Sequence, residues 1–219
     1  MIKEYHKIET LFKFSQEHKK FIYGEFYNKN VELLKDNLWV FTEKVDGTNF
    51  RIYWDGHILT YAGRTDKSEF TKGQIEFIKN ELVNEEVEQL FEQKFSEKEV
   101  IVYGELYGNG IQNGGLYTDG KGLGFKVFDI EIDGIFLKFN DMETLSIELG
   151  FDSVPLAMVG TIQQAINYCN SFEKSLFSKA KLEGLVGKPV GDFRDRLGKR
   201  IVVKIKKRDL NKSIKLEEK

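Results

Sequence analysis

The sequence predicts an α+β fold: antiparallel strands joined by tight turns, with a few helices packed outside. Three observations point there. Short runs of β-branched and aromatic residues recur along the chain. Asp-Gly pairs, a strong hairpin signal, punctuate them. Only a few stretches carry the apolar spacing of an amphipathic helix.

Taken in order, residues 38–42 (Leu-Trp-Val-Phe-Thr) read as a strand. Residues 49–54 and 57–61 read as a hairpin closed by Asp55-Gly56. Residues 74–91 place Ile75, Ile78, Leu82, Val83, Val87 and Leu90 at helical spacing, predicting one amphipathic helix with glutamates on its other face. Residues 100–106 and 125–131 are strands, and Asp133-Gly134 turns the chain into another over 135–139. Asn140 followed by Glu143 predicts a helix start with a capping-box acid, and that helix ends near Gly150. Residues 161–169 predict a second short helix; Leu185-Val186 and residues 201–205 complete the strands.

Composition narrows the function classes. Lys and Arg number 33 against 35 Asp and Glu, a net charge of -2, so global charge does not announce a nucleic-acid binder. The distribution says more. From Arg194 to Lys215 ten basic residues face two acids, whereas from Glu69 to Glu99 nine acids face four lysines. The first stretch suits polyanions and the second a solvated surface. The single cysteine, Cys169, excludes an internal disulfide and a cysteine-built zinc site; it fits a reducing, cytoplasmic compartment and the role of a small core residue. No apolar run approaches the roughly 20 residues of a membrane helix, so no membrane partner is expected. The N-terminus lacks the apolar core of a secretion signal. Two prolines and no Ser/Gly linker predict a single domain over 1–219. The sequence is silent on oligomeric state.

Five segments bring charged groups to strand ends or adjoining turns. They are Glu43-Lys44-Val45-Asp46-Gly47; Gly63-Arg64-Thr65; Tyr103-Gly104-Glu105; Val127-Phe128-Asp129 with Glu183-Gly184; and Val203-Lys204-Ile205-Lys206. An amine presented as Lys44 is can become a covalent nucleophile toward phosphorus. Lys204 and Lys206 stand two apart in a strand and project from one face, while Val203 and Ile205 point into the core. Two cations on one half-buried face repel each other; a polyphosphate between them explains the pattern.

In this order the segments resemble the motifs of the covalent nucleotidyltransferases, the superfamily of ATP-dependent ligases and capping enzymes. Lys44 to Gly47 matches Lys-x-Asp-Gly; Glu105, Phe128-Asp129, Glu183-Gly184 and Lys204-x-Lys206 match the motifs that follow. The nearer resemblance is to the RNA ligase 2-type family found among phages. It is carried by residues 5–12 (Tyr-His-Lys-Ile-Glu-Thr-Leu-Phe), Gly63-Arg64-Thr65-Asp66, residues 104–108 (Gly-Glu-Leu-Tyr-Gly) and residues 195–200 (Asp-Arg-Leu-Gly-Lys-Arg). Asn49 discriminates, because DNA ligases and capping enzymes usually carry arginine there. Asp46 departs mildly, since some members have histidine at that place. The implied fold is the antiparallel-sheet nucleotidyltransferase (adenylation) domain of the ATP-grasp-like DNA/RNA ligase type. Full ligases usually add a C-terminal domain; about a dozen residues follow Lys206 here, so the expectation is a minimal form without that accessory domain.

The resemblance implies an ATP-dependent RNA ligase. Lys44 would take AMP from ATP, pass it to an RNA 5′-phosphate, and allow a 3′-hydroxyl to seal the end. A lysine amine at its reference pKa of ~10.4 is protonated at neutral pH, and burial with nearby cations such as Lys204, Lys206 and Mg²⁺ (or Mn²⁺) is expected to lower that value. Glu43 would accept from the adenine amino group, Phe128 would stack on adenine, and Glu105 would hold the ribose hydroxyls. Val45 counts with the nucleotide-binding residues. Arg64 and Asn49 would touch phosphate or RNA ends. Asp46, Asp129 and Glu183 would orient Lys44 or the water shell of the metal, with Glu183 the carboxylate placed nearest the ion. The alternatives are a DNA ligase or capping-type nucleotidyltransferase, and a non-catalytic RNA-binding module derived from a ligase.

Overall fold

A computed structural model describes residues 2–191 and 193–215. They form two compact units. One, the hairpin unit, comprises residues 2–6 and 46–154; the other, the lysine unit, comprises residues 7–45 and the described residues from 155 onward. The chain opens the lysine unit with β1 (Glu9–Thr10), β2 (Phe12–Ser15), β3 (Lys20–Phe26), α1 (Lys29–Leu33) and β4 (Trp39–Glu43). It builds the hairpin unit from β5 (Thr48–Trp54), β6 (Leu59–Ala62), α2 (Lys72–Phe77), α3 (Glu85–Phe95), β7 (Val100–Gly108), β8 (Leu123–Ile132), β9 (Ile135–Phe136) and α4 (Phe139–Glu148). It returns through β10 (Leu156–Gly160), α5 (Ile162–Ser171), β11 (Gly184–Pro189), β12 (Val203–Lys206) and α6 (Lys207–Asn211). The α+β class holds, with helices mostly outside the sheets. No described helix is long and apolar enough to cross a membrane.

In the lysine unit β2 and β3 pair with each other, and the other described strands form a sheet ordered β1-β12-β11-β4-β10. All neighbours are antiparallel except β1 and β12, which run parallel. Alternation sets the faces. Trp39, Phe41, Leu185, Val203 and Ile205 are buried against Ile162, Ala165, Ile166 and Cys169 of α5. Thr161 starts α5 with a capping box to Gln164, satisfying N–H groups that a helix start leaves without partners. β11 threads between β4 and β12, with Leu185 opposite both Glu43 and Ile205. Gly184 permits this. A Cβ there would lie 2.0 Å from the Ile205 carbonyl oxygen.

The hairpin unit orders its strands β6-β5-β7-β8-β9. Phe50, Ile52, Trp54, Val102, Leu106 and Val127 line its core, and Ile78, Leu82 and Phe91 pack against them from the helices. Asp55 closes the predicted hairpin, its Oδ1 accepting from the His57 and Ile58 amides at 2.9 and 2.8 Å.

Three local expectations fail for physical reasons. The single helix over 74–91 is broken. α2 ends in a π-helical turn over Ile78–Leu82, and Asn84 then accepts from the Val87 amide at 2.9 Å to start α3 afresh. The apolar period survives the break because Ile78 and Leu82 before it, and Val87 and Phe91 after it, meet one core; Leu90 is exposed instead. Asn140 does not cap. Lys138 occupies that position without a side-chain bond, and Asn140 lies in the first turn of α4. The strand expected over 135–139 stops at Phe136, because the Leu137 amide turns back to the Ile130 carbonyl and Phe139 enters the helix. β1, β2, β3, α1, β10 and α6 were not predicted at all.

Candidate active site

Lys44 follows β4 directly. Its amide donates to the Gly184 carbonyl at 2.9 Å and extends the β4–β11 ladder by one residue, which fixes where its side chain leaves the sheet. Lys44 Nζ donates to Glu183 Oε2 at 2.6 Å, and Lys206 Nζ lies 2.8 Å from Glu183 Oε1. One carboxylate thus holds two ammonium groups, one on each oxygen. The three side chains are only 20%, 15% and 16% exposed for Lys44, Glu183 and Lys206, so solvent screens this triad far less than a surface pair. Lys204 projects from the same face of β12, as alternation predicts, while Val203 and Ile205 are buried. Burial pushes the Lys204 ammonium below its ordinary pKa; the charges of Lys206, Lys44 and Lys7 push the same way, and Asp209 opposes them. Three lysines against one glutamate leave a cationic surplus suited to a polyanion.

Glu43 and Val45 flank the nucleophile candidate differently. Val45 is buried, and its carbonyl lies 3.5 Å from Lys44 Nζ. Glu43 is 1% exposed, and its Oε2 accepts from the Leu176 amide at 2.7 Å, tying the segment before Glu183 to β4. Lys207, within the basic stretch, is pinned to Glu173 at 2.6 Å and to the Phe172 carbonyl at 2.8 Å. Cys169 is buried, which pushes its thiol up to about 12.

The remaining predicted residues lie in the hairpin unit. Gly47 packs so closely on β7 that a Cβ would lie 2.4 Å from the Leu106 carbonyl oxygen, and its amide donates to Glu105 Oε1 at 3.2 Å. Glu105 stands opposite Asn49 on β5 and Lys126 on β8. Asn49 Oδ1 is buried with no hydrogen-bond partner among the described residues. Phe128 is half-buried, with the Tyr5 ring edge-on at 5.0 Å. Asp129 is buried and accepts from the Tyr5 hydroxyl at 2.7 Å. Arg64 is exposed on the turn after β6. Among the described residues no group of three or more His, Cys, Asp or Glu side chains is placed to hold a metal.

Sequence reasoning missed three residues on the loop between β7 and β8. Asn113 Nδ2 donates to Asp46 Oδ2 at 2.9 Å, Gln112 Nε2 donates to the Gly47 carbonyl at 2.8 Å, and the Asp46 amide donates to the Tyr117 hydroxyl at 3.1 Å. They clamp the Asp-Gly half of the lysine motif. The available signal was the glycine density of residues 108–122, which marks an irregular loop long enough to reach a functional strand end.

A family model described as RNA ligase matches residues 37–206. Comparison with curated proteins found no match. Among solved structures, a variant of Naegleria gruberi RNA ligase with ATP and manganese superposes with a TM-score of 0.62 at 20% identity, covering 94% of this chain and 61% of that one. A variant with AMP and manganese gives 0.60 at 20% identity, covering 94% and 61%. The same ligase with pyrophosphate gives 0.60 at 21% identity, covering 89% and 60%. The chain therefore spans about three-fifths of the length of these ligase chains. At such identity the likeness is one of fold.

Proposed function

This chain belongs to the RNA ligase family, and from that premise we propose that it is an ATP-dependent RNA ligase acting through a lysyl-AMP intermediate. One observation carries the reading: Lys44 Nζ and Lys206 Nζ share the Glu183 carboxylate, at 2.6 and 2.8 Å, with Lys204 on the same face. Their cationic surplus fits a triphosphate. The buried Asn49 Oδ1 fits a donor such as the hydroxyl of an RNA end.

Lys44 Nζ attacks the α-phosphorus of ATP. A nitrogen–phosphorus bond forms, the bond to the bridging oxygen breaks, and pyrophosphate leaves. The amine loses a proton, for which Glu183 Oε2 is the acceptor in reach. Lys204 and Lys206 stabilise negative charge on the reacting phosphate and the leaving pyrophosphate. Lysine is required at 44 because arginine does not deprotonate there. AMP then moves to an RNA 5′-phosphate, and a 3′-hydroxyl displaces it. Glu105, Phe128, Arg64, Asp46 and Asp129 keep the roles the resemblance gives them. Glu43 recognises adenine on this reading, once its carboxylate is shared between the Leu176 amide and the base. Mg²⁺ or Mn²⁺ would supply charge neutralisation for the phosphates, and Glu183 is the carboxylate that would hold it. The cysteine usage fits a cytoplasmic setting.

Incubation with α-labelled ATP and Mg²⁺ tests this. Label should reach the protein, EDTA should prevent it, and Lys44→Ala should abolish it. Lys206→Ala should slow labelling by about 10²-fold or more, the scale of losing one preorganised charge-stabilising donor, while Lys212→Ala should not. Equal labelling of Lys44→Ala and the parent chain would refute the assignment of the nucleophile.

A further inference from the structure

Placing a charged guanidinium in a protein core is unfavourable unless its donors are well paired. Arg51 sits in the middle of β5, fully buried, on the strand face opposite Phe50 and Ile52. Its donors go to three acceptors, two on the segment after β6 and one near the N-terminus. Nε donates to the Gly63 carbonyl at 2.9 Å, Nη2 to Asp66 Oδ1 at 3.1 Å, and Nη1 to the Ile2 carbonyl. Gly63 and Asp66 bracket the turn that carries Arg64. The chain directly after Arg64 closes a turn of its own over 65–68, the Ser68 amide donating to the Thr65 carbonyl and the Thr65 amide to Ser68 Oγ, both at 3.1 Å. Arg64 is exposed, and its guanidinium makes no hydrogen bond or ion pair among the described residues. A buried cation thus grips both sides of an exposed, unengaged one.

We propose that Arg51 is a positioning residue for Arg64: by holding the 63–66 turn at both ends it presents the Arg64 guanidinium in one geometry to a phosphate, of the nucleotide or of the RNA end. This rests on reading the chain as an adenylating RNA ligase. The planar fork is what the arrangement needs. A lysine keeps the charge but cannot reach three divergent acceptors, and an apolar residue reaches none. The turn would then sample several orientations, and the energy of one well-aimed guanidinium–phosphate contact would be spread over them.

A double-mutant cycle on the full chain tests it. Two rates are measured: label uptake from α-labelled ATP, and AMP transfer to a 5′-phosphorylated RNA oligonucleotide. The variants are Arg64→Ala, Arg51→Lys, Asp66→Asn, and each of the last two combined with Arg64→Ala. Arg51→Lys and Asp66→Asn should each slow the step that Arg64→Ala slows, by about tenfold or more, with the loss falling in the same one of kcat and KM. Adding either to Arg64→Ala should cost less than about twofold more, since all act through one group. Slowed uptake identifies a phosphate of ATP as the target, and slowed transfer identifies the RNA end. Losses that multiply in the doubles overturn the inference, as does an Arg64→Ala protein as fast as the parent in both steps. Should Arg51→Lys fail to fold, Asp66→Asn, at a partly exposed position, carries the same comparison. A parent chain that takes no label removes the functional reading and this inference together; a parent that labels while the losses multiply removes the inference alone.

Discussion

Glu183 sets the charge balance of the candidate site at the residue scale. A carboxylate between two ammonium groups neutralises one charge, so the Lys44–Glu183–Lys206 triad with Lys204 keeps a surplus that only an anion can balance. Lys204 bears the cost. Its pKa is depressed chiefly by burial and then by Lys206, Lys44 and Lys7, below its ordinary 10.5. The unfolded chain therefore binds more protons between the folded and unfolded values, and stability rises as pH climbs through that window. Below it, folding works against a protonated, half-buried amine. Lys204→Met should accordingly melt higher than the parent at pH 7, and that advantage should shrink as pH approaches 10.5, even as labelling from ATP is lost. Melting curves across pH check it; an advantage independent of pH would show that packing, not charge, was relieved. The same-face placement of Lys204 and Lys206 was legible because strand alternation is local. The sharing of Glu183 was not, because Lys44 and Glu183 lie 139 residues apart. Nor was the clamp of Gln112, Asn113 and Tyr117, since a glycine-rich loop has no period from which to infer what its side chains touch.

At the scale of elements, the triad exists because three strands lie side by side in the order β12-β11-β4, with Lys44 and Glu183 just beyond strand ends and Lys206 closing β12. Gly184 sets that spacing. A methyl group there would overlap the Ile205 carbonyl oxygen at 2.0 Å and press on Lys206 Cα at 2.9 Å, so β11 and β12 would have to separate. Gly184→Ala should lose about 1–3 kcal/mol of stability from overpacking, and should slow ATP labelling more than that loss explains, because Glu183 and Lys206 shift together. Denaturant midpoints beside labelling rates of the still-folded fraction check this; a folded variant with parental labelling would show the strand spacing to be uncritical. Central strands such as β4, β5, β7 and β8 were legible because their apolar runs are long and bounded by turns. The break at Asn84 was not, because apolar spacing reports which face meets the core and not whether the backbone hydrogen bonds run through. The edge strands β1 and β10 were missed for a related reason: each is short and only partly buried, so its sequence carries little pattern.

For the molecule as a whole, charge is segregated rather than large. The net value of -2 suggests indifference to RNA, yet the stretch from Arg194 to Lys215 carries ten cations and two acids. Charges act over roughly 8 Å at physiological salt, so an approaching phosphate responds to the local surplus and not to the sum. Not every cation there contributes equally. Lys199, Lys206 and Lys207 are paired with Glu9, Glu183 and Glu173, and a paired ammonium has few counterions left to release on binding. Arg196 is exposed and has no ion pair among the described residues. Binding of a single-stranded, 5′-phosphorylated RNA should therefore weaken with salt despite the acidic net charge. Each phosphate neutralised by an unpaired cation should add about 0.7 to the slope of log affinity against log salt. Arg196→Gln should reduce the slope by about that amount, Lys207→Gln by much less, and neither should change the rate of labelling from ATP, which requires no RNA. Titrations at several salt concentrations decide it. A slope near zero in the parent would mean that the basic stretch does not meet the polynucleotide, and a larger effect from Lys207 than from Arg196 would mean that the ion pair with Glu173 opens when RNA binds.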